Sequence, residues 1–83
     1  MDIDIQLDKI KLMLYFIIQT NVKSFSLLCG IICGGFPTPL EITSDSDTWI
    51  DMVLGTITHS DNVNEAIQSF WYIVKQSGID TDN

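Results

Sequence analysis

The chain has no arginine, one histidine and four lysines among 83 residues. Without guanidinium groups it lacks bidentate clamps for phosphate or carboxylate substrates. Eleven acidic residues leave a net charge of −7, which repels a nucleic-acid backbone. Direct nucleic-acid binding is therefore set aside. Long hydrophobic runs are scarce too. The longest, Leu12–Ile18, has seven residues, whereas a membrane-spanning helix needs about 20. The uncharged stretch from Ser24 to Leu40 is broken by Gly30, Gly34, Gly35, Pro37 and Pro39. A small membrane-associated protein thus ranks behind a folded core. No basic segment opens the chain, because Asp2, Asp4 and Asp8 come before the first lysine. A cytoplasmic location is expected.

Only two cysteines are present. Cys29 and Cys33, four apart, share one face of a helix, where backbone geometry disfavours a disulfide. Zinc normally takes four ligands, and His59 is the sole further soft donor. The reading is a pair of reduced core thiols, with no metal and no cofactor.

The composition that remains, 46% hydrophobic and 18% charged, is too apolar for a disordered chain. Its length suits one helical domain over residues 1–83. Ile3, Leu7, Ile10, Leu14 and Ile17 recur at spacings of four and three, predicting a helix over about Asp4–Gln19. A second, capped by Asn21 or Ser24, runs through Cys33 to Gly34-Gly35. Apolar in most directions, it is expected to be largely buried. Phe36-Pro37-Thr38-Pro39-Leu40 reads as a stiff connector, with a short strand over Leu40–Thr43 as an alternative. The cap-rich Ser44-Asp45-Ser46-Asp47 announces a third helix over about Asp47–Thr58. A fourth follows over Val63–Gln76 with Gly78 as its stop, and the tail Asp80–Asn83 is expected to fray. The fold class is all-α: a compact bundle of about four short helices, with homo-oligomer assembly a further expectation.

Subtracting the core face of each helix leaves three surfaces. Ile5, Leu12 and Phe16 fall opposite the stripe of the first helix, with Lys9 among them, and predict an oligomer or partner interface. Residues 41–61 hold five acids, Glu41, Asp45, Asp47, Asp51 and Asp61, and no lysine or arginine. Capping accounts for Asp45 and Asp47 in part, through an effect of about 0.3–1 kcal/mol, but for the other three less well. Tyr72 lies opposite the core stripe of the fourth helix, among Glu65, Gln68 and Ser69, in the company typical of an interface anchor.

Catalytic groups are not assembled. His59 stands beside Ser60 and Asp61, whose side chains point apart along the chain rather than forming a triad. Its expected role is a contact at the helix C-terminus. Asp45-Ser46 ahead of an apolar helix resembles the serine motif of acyl carrier proteins, acidic helical bundles of similar length. Trp49 and the short span to the fourth helix depart from that pattern, so no modified serine is carried over. Acidity, size and helicity are also similar to those of bacteriocin immunity proteins, a likeness of class alone. The functional expectation is a non-enzymatic inhibitor of the immunity, antitoxin or phage anti-defence type. It would block a basic protein partner, such as a nuclease or other nucleic-acid-acting enzyme, through Glu41, Asp45, Asp47, Asp51, Asp61, Glu65, Trp49 and Tyr72. The alternative is a self-assembling structural or adaptor subunit joined through Ile5, Leu12 and Phe16.

Overall fold

A computed structural model describes residues 2–78. Its helices are α1 (Ile3–Thr20), α2 (Val22–Ile32), α3 (Pro39–Ser44), α4 (Ser46–Thr58) and α5 (Val63–Gln76). No strand occurs among the described residues, so the all-α expectation holds. The expected fraying of Asp80–Asn83 lies outside them.

Short polar residues set the joints. The Asp2 carboxylate accepts from the Asp4 amide at 2.9 Å and opens α1. Asn21 alone separates α1 from α2. Its N–H donates to the Ile17 carbonyl while its side-chain oxygen accepts from the Ser24 amide. Asn62 opens α5 in the same way, accepting from the Glu65 amide at 3.1 Å. Gly34 after α2 and Gly78 after α5 take positive φ, at 87° and 80°, where a side chain would be strained.

The connector reading of residues 36–40 is corrected in its second half. Thr38 and Glu41 form a reciprocal capping box, with Thr38 N–H donating to Glu41 Oε1 at 2.9 Å and Glu41 N–H to Thr38 Oγ1 at 3.2 Å. Pro39 sits at the first helical position, where its missing amide hydrogen costs nothing. A fifth, short helix therefore replaces both the connector and the alternative strand. Phe36 and Pro37 keep the connector role. The Phe36 ring lies so close to Gly30 that a Cβ there would collide with it, and Ser26 Oγ donates to the Pro37 carbonyl at 2.6 Å.

Ile10, Leu14 and Ile17 of α1 meet Phe25, Leu28 and Cys29 of α2, Ile42 of α3, Ile50, Val53 and Ile57 of α4, and Ile67, Phe70 and Val74 of α5. This core holds no polar or charged residue among those described. The particle is only 19 Å deep along its shortest axis, about two helix diameters. No helix is enclosed on all sides in two layers. The expectation that α2 would be largely buried holds for most of its residues, with Phe25, Leu28 and Cys29 buried and five more half-buried, but one side stays in water for this reason: Leu27 is 57% and Ile31 62% exposed.

Candidate functional site

All six carboxylates of the expected binding surface, Glu41, Asp45, Asp47, Asp51, Asp61 and Glu65, are exposed. They divide among different tasks and places. Glu41 closes the capping box of α3. Asp45 precedes α4, but its carboxylate makes no backbone cap and instead accepts from Thr48 Oγ1 at 2.8 Å. Asp47 and Asp51, one turn apart on α4, share a face and meet α1. Tyr15 donates its hydroxyl to Asp47 Oδ1 at 2.6 Å. Asp61 and Glu65 lie beyond the C-terminal end of α4, which is about 16 Å along the helix from Asp47 at 1.5 Å per residue.

Two aromatic assignments change accordingly. Trp49 is half-buried and packed on the core, and at 100° per residue it lies about 200° around α4 from Asp47. It does not frame the acidic row. The tyrosine at that row is Tyr15, which sequence reading missed because its spacing places it just beside the core stripe of α1. Tyr72 is exposed on α5 and shares a shallow depression with Glu65, Gln68, Ser69 and Ile73.

The bond to Asp47 holds the Tyr15 phenol above its ordinary value of 10.0, with slight desolvation and the charges of Asp47 and Asp51 adding to the effect. A raised phenol binds its proton more tightly in the folded state. Its contribution to stability is thus present below pH 10 and is lost as the pH rises through the folded value. Asp47→Asn removes the principal charge. The expected result is that Tyr15, followed by tyrosinate absorbance in the folded protein, ionises above pH 10 in the parent and closer to 10 in the variant. Equal titration in both would show that the hydroxyl does not meet Asp47 in solution.

On α1, Ile5 is 54%, Leu12 70% and Phe16 44% exposed, so among the described residues the face opposite the core stays largely open. The thiol of Cys29 is buried, and its burial together with the neighbouring Cys33 pushes it up to about 12. It stays protonated at neutral pH, inert as a small apolar group. His59 Nδ1 lies 2.7 Å from the Gly55 carbonyl, one turn back at the end of α4, which is the helix-end contact expected for it. Among the described residues no helix is long and apolar enough to cross a membrane. Comparisons with protein families, with curated proteins and with solved structures find no match.

Proposed function

We propose that the chain is a small binding protein that occupies a basic partner, itself acting on nucleic acid, and blocks it stoichiometrically. Immunity proteins, antitoxins and phage-encoded suppressors of host defence share this mode of action. The observation that carries the reading is the Asp47–Asp51 row with Tyr15 held against it. Two exposed carboxylates and a fixed aromatic hydroxyl lie in a chain that has no lysine or arginine from residue 24 to residue 74. A negative surface of this kind speeds encounter with a cationic groove and penalises wrong partners.

The test is capture of the partner from a lysate of the source cell, with the parent chain and D47K/D51K as baits. The parent is expected to retain a basic protein that salt releases, and the double reversal to retain much less. Equal retention by both baits discards this surface.

A second reading rests on the exposed Ile5, Leu12 and Phe16. They are spaced like one seam of a helix pair and point to self-assembly through α1. Light scattering at micromolar concentration is expected to give a dimer or larger species, and Leu12→Asp a monomer. A monomeric parent chain would sink the assembly reading and leave the inhibitor reading standing.

A further inference from the structure

Between α2, α4 and α5 the surface turns inward to a groove of about 320 Å³, floored by Ile32, Ile57, Ala66, Phe70 and Ile73. Ile31 forms its wall on α2, and Thr56 and Ser60 its rim on the α4 side. A second, shallower depression beside Tyr72 lies across the row Glu65, Ser69 and Ile73 of α5, which borders both. We infer that the groove between α2, α4 and α5 receives one amphipathic helix of the basic partner, with apolar residues set on its floor and lysines or arginines turned to Glu65.

The shape argues for a helix. From Glu65 to Ile73 the groove follows about two turns of α5, about 12 Å, which matches about two turns of a docked helix presenting residues at spacings of three and four. Leu27 and Ile31, on successive turns of α2, extend the apolar wall where no part of the described chain covers them. An extended peptide would need an open strand edge to pair with, and the described residues offer none.

The charge argues for a cationic helix. Glu65 borders the groove, and Asp61 follows Ser60 at its α4 end. The sole lysine of α5, Lys75, lies about 140–180° around the helix from Ala66 and Phe70 on the groove floor, on the side of Gln68 and Tyr72. An acidic segment is repelled here, and a second copy of a chain carrying −7 meets it with like charge.

The assignment rests on the reading of the chain as a binder of a basic partner, yet its test needs no partner. The probe is a synthetic leucine–lysine peptide of about 14 residues with helical spacing, compared with a scrambled peptide of identical composition that has no apolar face. Added to the isotopically labelled full chain, the amphipathic peptide is expected to saturate at one per chain and to shift the amides of Ile31, Ser69 and Ile73. The scrambled peptide should bind about tenfold more weakly. Ser69→Arg fills the groove from an exposed position, and Glu65→Lys reverses its charge. Each is expected to weaken the amphipathic peptide about tenfold, while D80K/D82K, which changes the net charge by four units, weakens it clearly less. Circular dichroism checks that each variant keeps its helices. Equal affinity for the two peptides, undiminished binding by Ser69→Arg, or weakening by D80K/D82K equal to that by Glu65→Lys would overturn the assignment. None of these would alter the outcome of partner capture at Asp47 and Asp51.

Discussion

Phe70→Ala is expected to remove about 3–5 kcal/mol of stability, the range for truncating a fully buried aromatic and leaving a cavity behind. At about 0.05–0.15 kcal/mol per residue, a chain of this length has on the order of 4–12 kcal/mol in all, so the variant loses between about a quarter and all of its stability. The position is demanding for a structural reason. Phe70 is 1% exposed, stands edge-on to Trp71 with ring centroids 5.1 Å apart, and with Ile67 and Val74 makes up the fully buried face of α5. Nothing polar in the core compensates for its loss. Urea denaturation followed by circular dichroism reads the effect as a lowered midpoint. Phe70→Leu, which keeps most of the apolar volume, should lose far less. A loss below about 1 kcal/mol for the alanine variant would mean that the site collapses freely and that α5 is not seated as described.

Reversing Asp47 and Asp51 to lysine is expected to slow association with the captured partner by about 10- to 100-fold at low ionic strength, because the long-range field guides encounter before contact. The effect should shrink as salt is raised, since the screening length falls to about 10 Å at 0.1 M and about 3 Å at 1 M. The pair of reversals brings the net charge from −7 to −3, each adding two positive units. Bulk charge is therefore a rival cause. The same change made at Asp80 and Asp82 separates the two: a local surface predicts a large effect at Asp47 and Asp51 and a small one near the C-terminus. Equal slowing by both pairs would assign the steering to overall charge and remove the α4 row from the interface.

Helix boundaries were legible wherever a short polar residue precedes an apolar stripe, because capping and periodicity are local and need no knowledge of the rest of the chain. Asn21, one of two candidate caps for α2, was legible in this way, and α5 matches its expected span, Val63–Gln76. The third predicted helix begins one residue earlier than its expected start, at Ser46. The miss at α3 was also local: Thr38-Pro39-Leu40-Glu41 holds a capping box with proline at the first helical position, a start signal masked by attention to proline as a breaker. The candidate surface was harder. The carboxylates were identified as exposed, but Tyr15 could be placed against Asp47 only once α1 and α4 were packed together across 32 residues of sequence.

The sequence by itself determined that this chain is helical and acidic, since periodicity and composition are properties of residues taken one window at a time. Which apolar residues stay in water was decided by tertiary structure alone. Packing five helices into a particle 19 Å deep leaves each with an uncovered side, so Ile31 lines an open groove and Leu27 stays exposed one turn before it, although their helix reads as core. Burial depends on how many neighbours surround a helix, and that number is set by the assembly of all the helices rather than by the residues of any one.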